Sequence, residues 1–328
     1  MKIKYGLIFI LIIVPFVYVG YSQDQITYNV QKYRHNYKRY LDTAVQDASA
    51  SLLLLSDYDK SNENQRVNIN VEEGIRSFFN SLYLQLGNGD LQEGEKLTYQ
   101  QALIKSYIPV VLIIDYDGFY IYAIDEYTDS EGYTYFKHIL FPKQYYSFKS
   151  DDYIIQPHLD DYVKVYNKTT GERYDGEYTA LSNEVGLFSE QDFEEIKRNY
   201  MINQIEESLN FYVNKHNNYA IQYGVVYDFY LPDITYNDWE ACLEDIGVMA
   251  FMQGIPIYRN EYLNIFALQG SRILKRKSYY GYEKDGDLFY CKSDCEELLD
   301  IPEKELEVFD SRKKAAQAGF YPCHNCKP

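Results

Sequence analysis

Four of the five cysteines fall within the last 38 residues, as Cys291, Cys295, Cys323 and Cys326. Their spacing is C-x3-C, then 27 residues, then C-x2-C. Thiolates are soft ligands, and two close pairs separated by a connecting segment are what a closed tetrahedral zinc site requires. An even spread of cysteines would instead suggest a disulfide framework. The expected cofactor is therefore one Zn2+ ion held by Cys291, Cys295, Cys323 and Cys326. Such an ion also answers a folding problem, because about fifty residues cannot build an adequate core alone. Cys242 stands apart among apolar residues and reads as a buried, inert thiol.

The other residues capable of chemistry form no constellation. His138, His158 and His216 are isolated and lack metal-ligand spacing. Asp151, Asp152, Asp160 and Asp161 flank His158, but turns between strands account for them. There is no glycine-rich phosphate loop and no nucleophile elbow. Asp115-Tyr116-Asp117-Gly118 could open a calcium loop, yet the later ligands are missing, and a hairpin turn explains it. Neither a catalytic group nor a bound organic cofactor is expected from these residues.

The C-terminal stretch resembles one family, the Ada-type metal-binding module of the bacterial adaptive-response protein. The resemblance covers about Tyr279 to Pro328. It rests on Tyr290 to Cys295, on Val308-Phe309-Asp310-Ser311-Arg312, and above all on Ala318-Gly319-Phe320-Tyr321-Pro322-Cys323-His324-Asn325-Cys326-Lys327-Pro328. It implies that all four cysteines bind one zinc ion. It also implies an alternative function, in which Cys291 accepts a methyl group from DNA phosphotriesters as a methyl acceptor or alkylation sensor. Cys291-Lys292-Ser293-Asp294-Cys295 departs from the family's Cys-Arg-Pro-x-Cys, and no partner repair domain accompanies it. A structural zinc module is the expectation.

The elements that carry this module read as α+β, with strands and helices in separate runs. Val71 to Leu86 patterns as a helix ended by Gly87, and IPVVLIID and FYIYAID as two strands of a hairpin. Tyr133 to Phe148 and Tyr153 to Tyr166 pattern as strands, and Asn167 to Gly171 as a turn. Ser189, capped through Asp192, begins a helix to about His216. Tyr219 to Tyr230 reads as a strand, and Tyr236 to Phe251 as a helix.

The N-terminus reads as a transmembrane segment or signal anchor. Gly6 to Tyr21 is apolar throughout behind Lys2 and Lys4, although its sixteen residues are short for a span. Ile26, Val30, Tyr33, Tyr37, Tyr40, Ala44 and Ala48 then follow helical spacing, so the helix is expected to continue outward. The domain expectation is residues 1–22 as anchor, 23–104 as a helical stalk region, 105–272 as an α+β body, and 273–328 as the zinc-binding module.

Forty-nine acidic against 32 basic residues give a formal net charge of −17, which opposes phosphate backbones and makes nucleic acid a poor partner for the whole chain. Thirty-eight tyrosines favour half-wet sheet surfaces. Together these features predict a non-enzymatic bacterial envelope protein, single-pass in the cell membrane, with its body extracytoplasmic. Its architecture resembles pilin-like components of type IV or Tad pilus systems. Its expected partners are the membrane and other envelope or pilus-like proteins.

Overall fold

A computed structural model describes residues 2–53, 68–87, 95–150, 152–178, 181, 190–270, 279–284, 286–292, 295–298, 301–302, 306–309, 315–316 and 318–326. The expected capping box at Ser189, Asp151, the polar stretch 57–67, Ser293 and Asp294, Asp310 to Arg312, and Lys327 and Pro328 lie outside the described residues. The chain divides into two compact units, Met1–Ser271 and Arg272–Pro328.

The first unit opens with three helices, α1 (Lys2–Ser51), α2 (Val71–Gln85) and α3 (Glu95–Ser106). Strands β1 (Val110–Asp115), β2 (Gly118–Thr128), β3 (Thr134–Leu140) and β4 (Gln144–Tyr145) follow. Far along the chain, β9 (Gly247–Tyr258) and β10 (Glu261–Gly270) complete a sheet of order β10-β9-β1-β2-β3, with β4 on β2. A second antiparallel sheet runs β5 (Phe148–Ser150), β6 (Tyr153–Pro157), β7 (Tyr162–Asn167) and β8 (Arg173–Glu177) in sequence order. Between the sheets in sequence lie α4 (Glu190–Ala220) and α5 (Tyr236–Leu243).

Strand β1 sits at the centre because it can be buried on both faces. Its VVLIID run is buried along its whole length, as expected of a strand covered on two sides. Val110, Leu112 and Ile114 pack into one cluster with Met201, Ile205 and Leu209 of α4 and with Trp239 and Cys242 of α5. Alternation sends Val111 and Ile113 to the opposite face. Leu41, Ala44, Val45 and Ala48 of α1, and Phe78 and Leu82 of α2, are buried as well, at about 1.5–3 kcal/mol for each large side chain. Asn70 starts α2 by accepting the Glu73 N–H at 3.1 Å, a capping bond the chain needs at a helix start.

The α+β character stands, but the membrane segment does not. Among the described residues no helix is long and apolar enough to cross a membrane. The apolar run stops at Tyr21 and the same helix continues through Gln23, Asp24 and Gln25, so it falls short of the roughly 20 apolar residues a span needs. The transmembrane helix expected at 1–22 and the single-pass placement are thereby overturned. Lower in α1, Ala44 and Ala48 of the expected stripe are buried, while Tyr33 remains exposed.

Two further expectations change. Tyr219 to Tyr230 is the end of α4, a short 3-10 turn at Ile221–Tyr223 and an irregular segment, and not a strand. The helix expected to run to Phe251 stops at Leu243, where β9 begins four residues later.

Candidate metal centre

The second unit contains β11 (Tyr279–Lys284), β12 (Asp287–Lys292), β13 (Glu307–Phe309) and β14 (Tyr321–Pro322), in sheet order β13-β11-β12-β14. Strands β11 and β12 form an antiparallel hairpin. Strand β14 joins β12 in parallel, with Tyr290 opposite Pro322. That register sets the next residues, Cys291 and Cys323, abreast. The Cys323 N–H bonds to the Tyr290 carbonyl at 3.0 Å and fixes the approach.

Each strand end then turns back toward the other. Cys295 bonds through its N–H to the Lys292 carbonyl at 3.2 Å and leads into the 3-10 turn Glu296–Leu298. Residues 324–326 form a turn that returns Cys326 to the same place. The four Sγ atoms lie within 4.8 Å of one another, and those of Cys295 and Cys323 are 3.9 Å apart. Four thiolates at about 2.3 Å from a tetrahedral zinc would stand about 3.8 Å apart. All five cysteines of the chain are free thiols. The donor set and its size therefore fit one metal ion, and the four cysteines would hold it.

In the absence of an ion the surroundings act differently on the sulfurs. The Lys292 N–H points at Cys326 Sγ from 3.5 Å. Burial raises the Cys323 thiol, but the backbone N–H of Cys326, the Cys291 thiol, the Asn325 N–H and the Tyr282 hydroxyl outweigh it and bring the value down to about 7. Burial pushes Cys291 well up, with Cys323 and Cys295 adding to the rise. Cys295 is also raised, mainly by burial. The buried Tyr282 hydroxyl stands 3.8 Å from Cys291 Sγ and 3.9 Å from Cys323 Sγ. Hydrogen bonds of this kind orient metal ligands.

Two small apolar clusters support the site: Tyr279, Tyr290, Phe309, Ala315 and Phe320 in one, and Phe289, Leu298, Ile301 and Leu306 packed against Tyr282 and the buried cysteines in the other. Gly281 makes the first possible, since a Cβ there would sit 2.5 Å from Phe320 Cε1 and 2.7 Å from Phe309 Cε2. Gly319 has φ +91, which lets the chain turn and lay Phe320 against the rings. Sequence reasoning did not single out Tyr282, Gly281 or the Lys292 N–H. Tyr282 carries no spacing signal, and a backbone donor carries none at all.

Elsewhere the structure joins residues that the sequence left apart. His138 and His216 have ring centroids 6.2 Å apart, brought there by β3 and α4. His216 Nε2 is 2.8 Å from the Ser106 carbonyl, and His216 Nδ1 and His138 Nε2 are buried with no hydrogen-bond partner among the described residues. Asp115 closes an ion pair with Lys143 at 2.8 Å, and Asp117 pairs with the same amine. Cys242 is buried, and burial drives its thiol far above the ordinary range. Comparison with known protein families, with curated proteins and with solved structures gave no match.

Proposed function

We propose that this chain is a non-enzymatic bacterial protein whose C-terminal unit is a structural zinc module of the Ada type, built for interaction and not for group transfer. The observation that carries this reading is the convergence of four thiols within 4.8 Å with Cys291 wholly buried. A sulfur-only set favours zinc over harder divalent ions. Four protein thiolates fill a tetrahedral shell and leave no open position for substrate. The ion, when bound, supplies cross-links between two strand ends that small apolar clusters alone hold poorly. The pilus role depended on the membrane anchor and is not carried forward.

Methyl transfer to Cys291 is the competing reading. It needs a thiolate that a phosphotriester can reach in line, and burial of Cys291 together with the charge of −17 argues against it. The full-length chain incubated with methylphosphotriester DNA should gain no mass. A stoichiometric gain of one methyl group on Cys291 would overturn the structural reading.

A further inference from the structure

In the first unit a groove of about 380 Å³ opens between α2, α3 and the sheet, within the range of small-ligand sites. Phe79 and Tyr83 of α2, Tyr122 of β2 and Leu140 of β3 line it, and Lys105 of α3 projects among them. The rings are set by neighbours: Phe79 packs edge-on against Phe78 with centroids 5.0 Å apart, and lies 5.4 Å from Tyr122 and 5.9 Å from Tyr83. Tyr122 is stacked from behind by His138. These walls stand on helices and a central strand, so they hold their shape without a ligand.

The anomaly is Lys105. Its amine lies 5.0 Å from the Phe79 ring centre and 5.9 Å from that of Tyr122, and bonds the Tyr122 hydroxyl at 3.3 Å. No carboxylate pairs with it among the described residues, although the chain carries 49 acidic side chains. Burial lowers its pKa. A partly desolvated ammonium is stabilised by an opposite charge, and aromatic walls accept a flat apolar body. Glu72 and Arg76 of α2 also line the groove; Arg76 is engaged by Glu73, and Lys105 is the cation set over the Phe79 and Tyr122 rings.

We propose that this groove is a binding site for a small planar aromatic carboxylate, with the ring against Phe79, Tyr83 and Tyr122 and the carboxylate on the Lys105 amine. The proposal is independent of the metal centre. Charge and shape recognition make separate demands here, and each has its own probe. 2-Naphthoate supplies both ring and charge, and 2-naphthamide keeps the ring without the charge.

The test titrates the full-length, metal-loaded chain with each probe and follows the methyl NMR signals of Ile75 and Leu140. Naphthoate should shift both signals saturably and bind about tenfold more tightly than the amide. Lys105→Met should remove that preference, and Lys105→Arg should keep it. Unchanged Trp239 fluorescence in each variant establishes that the unit is still folded. The proposal fails if neither methyl responds at about 10 mM naphthoate, if the two probes bind equally to the native chain, or if the preference survives Lys105→Met.

Discussion

Acid should destabilise the first unit before it protonates most carboxylates, because two buried histidines resist a proton in the folded state. His216 is fully buried, and burial lowers its pKa from 6.5 to about 4, with the Ser106 carbonyl opposing part of the shift. His138 is lowered to about 3 by burial, by His216 and by Lys105. Above pH 6.5 neither state binds these protons, so the pair is neutral to stability there. Below 6.5 the unfolded chain takes them up and the folded chain does not. Stability therefore falls with pH from about 6.5 down to the folded values, at about 1.4 kcal/mol per pH unit for each histidine. Between pH 6.5 and about 5 that is roughly 2 kcal/mol per histidine and 4 kcal/mol for the pair. The single tryptophan, Trp239, is buried in this unit's core and reports on it alone. Urea unfolding followed by its fluorescence at several pH values gives the slope directly. His216→Gln retains an amide to bond the Ser106 carbonyl and cannot titrate, so it should remove about half of the slope in this window. An unchanged slope in that variant, or NMR titration of His216 near 6.5, would refute the reasoning.

Three other outcomes follow from the same structure. Chelating the metal should abolish amide protection in β11, β12 and β14 while Trp239 fluorescence stays constant, since in so small a unit metal-binding energy is folding energy. Gly281→Ala should destabilise the second unit by about 1–3 kcal/mol through collision with Phe309 and Phe320, read as release of metal at lower chelator concentration. Lys143→Met should cost the first unit about 3 kcal/mol, because Asp115 and Asp117 would be left with an uncompensated buried charge, read as a lower urea midpoint.

The local features were legible wherever spacing encodes geometry. Two cysteine pairs can meet only if two strand ends meet, and Asp115 to Gly118 marks a hairpin that the structure contains between β1 and β2. Val71 to Gln85 shows its buried face in its spacing. The β9–β10 hairpin was hidden because VMAFM is apolar without alternation, so periodicity cannot separate a doubly buried strand from a helix. Its turn is Arg259-Asn260, with Arg259 at φ 49, in place of the usual Asn-Gly. The apolar N-terminal run misled for a related reason: composition suggested a span, while length and the polar continuation of α1 set the outcome. The meeting of His138 with His216, and of Lys105 with Phe79 and Tyr122, depends on long-range packing that no local pattern records.

A single ion held by the four thiols is what the proposed module requires. Full-length protein purified without added chelator should contain one zinc per chain by elemental analysis. Replacement by Co2+ should give the strong visible absorption of a tetrahedral four-thiolate site, and Cys323→Ser should weaken and shift it. Metal-free protein with Cys291 or Cys323 in a disulfide, or a cobalt spectrum indifferent to Cys323→Ser, would contradict it.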